Sequence, residues 1–227
     1  MSATLSIVAT PIGNLEDITL RALRVLGEVD VILCEDTRVT KKLLGKYDIH
    51  TKTMRYDAHS SEKTRADIDA LLEEGKHIAL VSDAGTPGIS DPGTHLVAHV
   101  RKHFGVTVII EAIPGASALT TALSGAGIPS PAFLFLGFLP HKKGRQTLFE
   151  EIARSERAVV FYESPHRIMK TLESLREHLP ERRIVLAREL TKIHEEYVHG
   201  TPEEVILYLE EHPDHVRGEF VVIVSGV

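Results

Sequence analysis

The sequence predicts an α/β protein built from two αβα lobes that meet at a cleft, with mostly parallel sheets. Short apolar runs rich in β-branched residues alternate with amphipathic helical stretches along almost all of the 227 residues, a pattern typical of parallel sheets covered by helices. The composition, 43% hydrophobic and 26% charged, provides material for sizeable cores. Ile113-Pro114-Gly115 interrupts the pattern near the middle. We therefore place one lobe over residues 1–113 and another over 114–227, in preference to a single doubly wound sheet.

The first half predicts four strands separated by helices. Apolar runs bounded by turn residues predict strands over Leu5–Ala9, Val29–Leu33, Ile78–Ser82 and Val106–Glu111. Amphipathic spacing predicts helices over Ile18–Leu26, Glu62–Glu74 and Gly93–Phe104. The middle helix follows Ser60 and Ser61, which are good N-caps, and stops at Gly75.

The second half repeats the alternation. Its predicted strands are Ala132–Leu139, Ala158–Tyr162, Ile184–Arg188, Glu196–His199 and Glu219–Ser225. Its predicted helices are Ala116–Ser124, Arg145–Arg154, Pro165–Leu179 and Pro202–Glu211. This half therefore has a strand and helix series of its own, as a separate lobe requires.

The charge balance excludes some classes of function. The chain carries 26 Lys and Arg against 32 Asp and Glu, a formal net charge of −6, which argues against a protein that coats nucleic acid through bulk positive charge. Aromatic residues make up 5% and Trp is missing, so a base-stacking platform is not expected. A selective nucleic-acid enzyme with a local basic patch is compatible with both observations.

Cysteine, histidine and hydropathy patterns place the chain in a reducing cytoplasm. Cys34 is the single cysteine, which excludes an intramolecular disulfide and CxxC zinc sites. His95, His99 and His103 recur every four residues on the polar flank of an apolar stripe, so we expect surface histidines and no metal site. No apolar run reaches the roughly 18 residues of a membrane span, and the N-terminus lacks the pattern of a signal peptide.

Four loops carry unusual residues, and in open α/β sheets ligands bind beyond the carboxyl ends of the strands. The first loop, Ala9–Asn14, has neither GxGxxG nor GxxxxGK[ST], so it gives no sign of an NAD or ATP site. Taken alone, it fits a tight turn better than a ligand site. The second loop, Glu35–Arg38, allows two interpretations. Its carboxylates and arginine can act on a substrate hydroxyl or a sulfonium charge, or Asp36 or Thr37 can cap a helix.

The other two loops favour a ligand. Ser82–Gly93 combines glycines, two prolines and two aspartates, which makes an ordered backbone that a ligand can approach closely. The helix after it offers free N–H groups to a carboxylate. Pro114–Ala118 also opens a predicted helix, with small side chains that let a ligand lie against the backbone.

Six motifs in this order resemble the tetrapyrrole methylase superfamily, the class III S-adenosylmethionine-dependent methyltransferases. The motifs extend over nearly the whole chain: Ala9–Asn14 (ATPIGN), Glu35–Arg38 (EDTR), Ser82–Gly93 (SDAGTPGISDPG), Pro114–Ala118 (PGASA), Phe161–Ile168 (FYESPHRI) and Ala187–Lys192 (ARELTK). The members that methylate ribosomal RNA are the most similar. They usually continue beyond the position of Val227, so the resemblance leads us to expect either a further C-terminal segment or a shorter variant.

The resemblance implies S-adenosylmethionine as the methyl donor, clamped in a cleft between the lobes. It places the methionine portion of the donor at the Gly-rich loop and further contacts at the start of the second lobe and around the adenosine pocket. The implied donor-binding residues are Pro11, Asp83, Ala84, Gly85, Thr86, Pro87, Ser117, Ala118, Tyr162, Ala187, Gly200 and Thr201. The sulfonium requires neither a metal nor a phosphate-binding lysine.

The implied reaction is methylation of the ribose 2′-hydroxyl of a cytidine in the decoding centre of 16S rRNA, within the small ribosomal subunit. The catalytic candidates are Glu35, Asp36 and Glu163, with Arg38 and Arg167 to hold phosphate. Our hypothesis is that Glu35 or Asp36 accepts the hydroxyl proton. The candidate RNA-binding residues are Lys41, Lys42, Lys142, Lys143 and Arg145, although a basic run of this kind can equally be a solvated helix start.

Two alternatives stay open. The same fold and donor serve methyltransferases that act on a tetrapyrrole carbon, and a cleft alone is also compatible with a non-catalytic nucleotide-binding module. The EDTR and FYESPHRI loops favour RNA. The superfamily further suggests a homodimer.

Overall fold

The computed structural model describes residues 3–89 and 93–227. The chain divides into two compact units, Met1–Ser117 and Ala118–Val227. Each unit contains one five-stranded sheet with its own helices. This arrangement confirms the α/β fold class.

The N-terminal unit contains a fully parallel sheet with strand order β3-β2-β4-β1-β5. The strands are β1 Thr4–Val8, β2 Val31–Cys34, β3 Thr53–Arg55, β4 His77–Leu80 and β5 Ile109–Ile113. The helices are α1 Leu20–Glu28, α2 Thr37–Lys46, α3 Glu62–Glu73 and α4 Gly93–Phe104, with a short 3₁₀ turn at Leu15–Asp17. In all four pairings the strands run the same way, so their carboxyl ends lie along one edge of the sheet.

Helices cover both faces of this sheet because successive strand side chains point to opposite sides. On one face, Leu5 and Leu33 join the core formed with α3 and α4, which contribute Ile68 and Leu96. On the other face, alternate strand residues join α1 and α2 through side chains such as Val25 and Leu44. Strands buried on both faces explain why the sequence shows continuous apolar runs here.

The C-terminal unit departs from the predicted mostly parallel arrangement. Its strands are β6 Phe133–Phe138, β7 Ala158–Glu163, β8 Ile184–Arg188, β9 Glu196–Gly200 and β10 Phe220–Val224, in the order β6-β7-β10-β8-β9. Only β6 and β7 pair in parallel among these strands, and the other three pairings are antiparallel. Two of these pairings arise because β10 inserts between β7 and β8 and runs against both, and the third because β9 folds back along β8.

Four helices pack on this second sheet: α5 Ala118–Gly125, α6 Arg145–Arg154, α7 Ile168–His178 and α8 Pro202–Glu211. The helices α6, α7 and α8 share one core with alternate residues of the central strands, including Phe161 and Val222. The helix α5 packs against β10. No helix among the described residues is long and apolar enough to cross a membrane.

The predicted elements are confirmed within a few residues. One α-helix and one strand of the structure are not among the predicted elements. These are α2 and the short edge strand β3. α2 begins with Thr37, and its β-branched Val39 and Thr40 weaken the helical signal. β3 has three residues, too few for a periodicity.

Candidate functional site

The loops after β1 and β4 are joined at the carboxyl edge of the N-terminal sheet. The Thr10 amide donates to the Gly85 carbonyl at 2.9 Å, and the Gly85 amide donates back to the Thr10 carbonyl at 3.1 Å. The buried Thr10 hydroxyl also donates to the Ser82 carbonyl at 3.2 Å. Gly85 has φ +82°, a backbone conformation that side chains with a Cβ rarely adopt. The two loops therefore form one fixed unit.

The loop after β5 packs against the same unit. A Cβ at Gly115 would lie 2.9 Å from the Ala9 Cβ, so the close approach of the two loops requires a glycine. The Thr86 hydroxyl donates to the Ala116 carbonyl at 3.0 Å. Three of the loops singled out in the sequence thus converge at one place.

The remaining loop, Glu35–Arg38 after β2, contacts the loop after β4 through Asp83. The Asp36 amide donates to an Asp83 carboxylate oxygen at 3.0 Å. The Asp36 side chain caps α2 by accepting from the Arg38 amide at 2.8 Å, and it forms an ion pair with the Arg38 guanidinium at 2.6 Å. The Arg38 hydrogen bonds lower the pKa of Asp36 to about 2. Of the two interpretations of this loop, the structure therefore shows a helix cap at Asp36.

The chemistry of this edge suits a small cationic ligand. Asp36 and Asp83 bring two carboxylates to it, and the backbone of Glu35 lies beside them. Asp83 and Ala84 are exposed, whereas Pro11, Gly85 and Pro87 are buried and support the loops. Cys34 lies beneath in the core, where burial raises the pKa of its thiol and disfavours a nucleophilic thiolate. Ser90, Asp91 and Pro92, at the end of the Ser82–Gly93 loop, lie outside the described residues.

In the C-terminal unit, Glu163 is a buried carboxylate whose two oxygens are both engaged. Its side chain is 0% exposed and forms an ion pair with Arg167 at 3.2 Å. The Thr171 hydroxyl donates to Oε2 at 2.7 Å, and the Ser164 amide donates to Oε1 at 2.8 Å. A carboxylate with this environment holds neighbouring groups in place and is not accessible to a substrate hydroxyl.

The two arginines near Glu163 are tied to the segment between β6 and α6. Arg167 donates to the Leu139 carbonyl at 2.7 Å and contacts the His141 ring at 3.3 Å. Arg145 donates to the Thr171 hydroxyl at 2.8 Å and lies over the Phe149 ring. Burial is the main reason that the pKa of Arg145 is lowered. Arg145 therefore has an internal role, whereas the neighbouring Lys142 and Lys143 are exposed.

The candidate adenosine-contacting residues fall into two separate groups. Tyr162 and Ala187 lie opposite the same residue of β10, Val221, so they share one row across the sheet. Gly200 pairs with Ile184, three residues or about 10 Å further along β8 and on the opposite face. Thr201 forms a capping box with Glu204 at the start of α8. The structure does not bring Gly200 and Thr201 next to Tyr162.

Ser117 and Ala118 lie where the loop after β5 enters α5. Ser117 is the last residue of the N-terminal unit and Ala118 the first of the C-terminal unit. Burial raises the pKa of Tyr162, and the Leu119 backbone at the start of α5 has a smaller, opposite effect on that pKa.

Some partners escape sequence reasoning because they are distant along the chain. Thr171 links Glu163 to Arg145. The one sequence signal for it is its position four residues after Arg167, on the same side of a helix. His99 contacts Asp69 of α3 at 2.8 Å, a carboxylate 30 residues away that the histidine spacing does not indicate. Among residues 3–89 and 93–227, no three His, Cys, Asp or Glu side chains are grouped as a metal site.

The chain matches one family model and is similar to several curated proteins. The family model "Tetrapyrrole (Corrin/Porphyrin) Methylases" matches residues 4–206. The chain is 49% identical to "Ribosomal RNA small subunit methyltransferase I" of Halalkalibacterium halodurans, over 98% of this chain and 76% of that protein. It is 46% identical to the protein of the same name from Thermotoga maritima, over 98% of both chains.

A solved structure shares the fold. The crystal structure of uroporphyrin-III C-methyl transferase from Thermus thermophilus, complexed with S-adenyl homocysteine, matches with a TM-score of 0.65 and 20% identity. The match covers 99% of this chain and 97% of that one. At this identity the similarity concerns the fold.

Proposed function

The chain belongs to the tetrapyrrole methylase family, and we propose that it transfers a methyl group from S-adenosylmethionine to 16S rRNA, on the ribose 2′-hydroxyl of a cytidine in the decoding centre. The observation that carries the proposal is the convergence of the four motif loops at one sheet edge. The relatives named for ribosomal RNA methylation, 46% and 49% identical over 98% of this chain, support RNA as the substrate.

The residues at this edge fit the proposed donor. When bound, S-adenosylmethionine supplies an electrophilic methyl group on a positively charged sulfur. Carboxylates at Glu35 and Asp83 offer complementary charge, and the fixed backbone from Asp83 to Pro87 offers amides and carbonyls for the methionine portion. Tyr162, Ala187, Gly200 and Thr201 remain predicted adenosine contacts, with Tyr162 and Ala187 the better supported pair because they share one row.

The chain's own contribution to catalysis is positioning and removal of a proton. Holding the ribose hydroxyl in line can supply about 7–11 kcal/mol of the barrier, and a general base about 10²–10⁴ in rate. Asp36 already caps α2 and pairs with Arg38, and a carboxylate with a pKa of about 2 is a weak base. These properties disfavour Asp36, and we propose Glu35, the other carboxylate of the EDTR loop, as the proton acceptor. Arg38 stays a candidate for substrate phosphate.

Exposed lysines are the proposed RNA contacts. Lys41 and Lys42 on α2 and Lys142 and Lys143 before α6 are all exposed. Arg145 and Arg167 support the segment that carries Lys142 and Lys143 through their internal hydrogen bonds. The small ribosomal subunit as the physiological substrate, a homodimer and a cytoplasmic location complete the proposal.

The test is transfer of labelled methyl groups from S-adenosylmethionine to small ribosomal subunits that lack the modification. Deproteinised 16S rRNA and a tetrapyrrole precursor serve as competing substrates. We expect label in the RNA of the subunits, weaker labelling of naked rRNA and none in the tetrapyrrole. Transfer to the tetrapyrrole alone would overturn the RNA assignment, and donor binding with no transfer to any RNA would favour a non-catalytic module.

A further inference from the structure

A basic groove lies on the N-terminal unit at the C-terminal end of α2, towards the amino edge of the sheet. α2 and the segment that leads from it to β3 enclose an open groove of about 420 Å³. Lys41 and Lys52 provide its cations, Thr51, Thr53 and His50 provide further polar lining, and Leu44, Gly45 and Ile49 form the remainder. The His50 ring is paired with the Asp48 carboxylate at 3.0 Å. The groove therefore combines positive charge with an apolar floor.

The charge of this region is opposite to that of the whole chain. Residues 37–55 contain six lysines and arginines and one aspartate, in a protein of net charge −6. Arg38 and Arg55 are paired with Asp36 and Asp57. In the part of the chain that the structure describes, no carboxylate lies within ion-pair distance of Lys41, Lys42, Lys46 or Lys52. Their charge is available to an anionic ligand.

The groove is held in shape by its backbone. The Ile49 amide donates to the Leu44 carbonyl at 3.0 Å, and the Ile32 amide of β2 donates to the Lys52 carbonyl at 2.8 Å. The Thr51 hydroxyl donates to the Leu26 carbonyl at 2.6 Å. These contacts fix both walls, so a ligand meets a preformed surface.

Gly45 leaves the groove open. A Cβ placed at this helical glycine meets no atom within 4 Å, so a larger side chain can project from the helix without disturbing the protein. The cationic rim, apolar floor and exposed helix backbone suit a sugar–phosphate chain, whose phosphates need cations and whose sugars need a surface to lie against.

The helix α2 connects the candidate site, at its start, to the groove, at its C-terminal end. The helix starts at the Asp36 cap, whose amide is bonded to Asp83, and its ten residues span about 15 Å. A ligand in the groove therefore lies about one helix length from the site, and an extended polymer can reach both.

We propose that this groove binds the phosphodiester backbone of the RNA substrate at a point away from the methylated nucleotide. This inference rests on the proposed function and extends it to Gly45, His50 and Lys52, which the sequence motifs do not include. Lys41 provides the link, since it lines the groove and is also a candidate RNA contact. The groove gives affinity and orientation without reading bases.

Two variants test the groove by different means. The double variant Lys41→Gln/Lys52→Gln removes two cations, and Gly45→Gln fills the groove without changing charge. The matched control, Arg101→Gln/Lys102→Gln, makes the same charge change on exposed residues of α4, which packs on the opposite face of the sheet. Affinity for small ribosomal subunits is measured by filter binding over a range of salt concentrations, and binding of the methyl donor by calorimetry.

We expect the lysine variant to weaken subunit binding at least about fivefold and to reduce the slope of log affinity against log salt by about 1.4–1.8. Gly45→Gln should weaken binding with little change in slope, and neither variant should alter donor affinity. Groove variants that bind subunits as the control does would overturn the inference, as would a groove that binds anionic vesicles in preference to RNA. Since binding needs no turnover, failure of the wild type to methylate subunits would count against the proposed function alone.

Discussion

Two carboxylates of the sequence motifs, Glu163 and Asp36, have different roles because their hydrogen-bond partners differ. Glu163 is enclosed by Arg167, Thr171 and the Ser164 amide, so it organises structure from within the C-terminal unit. Asp36 is at a helix start with its carboxylate held by Arg38. Motif membership locates such residues, but their hydrogen-bond partners decide whether they can accept a substrate proton.

Replacing Glu163 should destabilise the protein and disturb the basic segment that follows β6. We expect Glu163→Ala to cost about 3 kcal/mol because it leaves the half-buried Arg167 without its carboxylate partner and the Thr171 hydroxyl without its acceptor. The measurement is the free energy of unfolding in urea, with Thr171→Ser as the control that keeps a hydroxyl for both Glu163 and Arg145. An unchanged unfolding midpoint in Glu163→Ala would contradict the buried network.

The proton acceptor can be identified by comparing two isosteric variants. Glu35→Gln should lower kcat by about 10²–10⁴, whereas Asp36→Asn should have a much smaller effect, because asparagine also caps helices. Donor affinity, measured by calorimetry, should stay unchanged in both. Equal kcat values for Glu35→Gln and the wild type would exclude Glu35 as the base.

The Asp36 titration depends on Arg38. The pKa of Asp36 is lowered from its ordinary value of 3.8 to about 2, so the stabilisation from this pair is present above pH 3.8 and is lost as the pH falls through about 2. Removing the guanidinium by Arg38→Ala should return the pKa towards 3.8. The carboxyl carbon shift of Asp36 in an NMR titration reports both values, and a midpoint that does not move would refute the assigned cause.

At the level of elements, the sequence predicts strands and helices better than it predicts pairing. Arg145–Arg154, Ile184–Arg188 and Pro202–Glu211 have the predicted bounds, since apolar periodicity and caps are local signals. The insertion of β10 between β7 and β8 is decided by contacts between distant segments. The helix α2 is difficult to predict because Thr37, Val39, Thr40 and Gly45 lower its helical propensity, and packing of Leu44 into the core contributes to its stability.

Close approach of the site loops should be sensitive to one methyl group. Gly115→Ala would place its Cβ 2.9 Å from that of Ala9, and the loops must separate to relieve the overlap, at about 1–3 kcal/mol. Gly27→Ala is the control, because nothing lies within 4 Å of its Cβ and alanine stabilises a helix by about 0.5–1 kcal/mol. We expect weaker donor binding by calorimetry in Gly115→Ala only, and equal binding in both variants would contradict a donor site at these loops.

At the scale of the molecule, the negative net charge is unevenly distributed. The chain as a whole is acidic at −6, yet residues 37–55 are strongly basic, which restricts anion binding to particular surfaces. The sequence motifs predict which loops carry the site, and the N-terminal sheet brings four of them together. The motifs do not predict that Gly200 pairs with Ile184, three residues from Ala187 along β8, because this depends on strand register. They also do not predict that Arg145 points inwards, because its partner Thr171 is 26 residues away.

The most direct test of the central claim is the chemical position of the transferred methyl group. Small ribosomal subunits lacking the modification are incubated with the protein and S-adenosylmethionine, and the 16S rRNA is digested and mapped by mass spectrometry. We predict one new methyl group, on the ribose of a cytidine in the decoding centre. A methyl group on a base, or 16S rRNA that stays unmodified while a tetrapyrrole is methylated, would contradict the account.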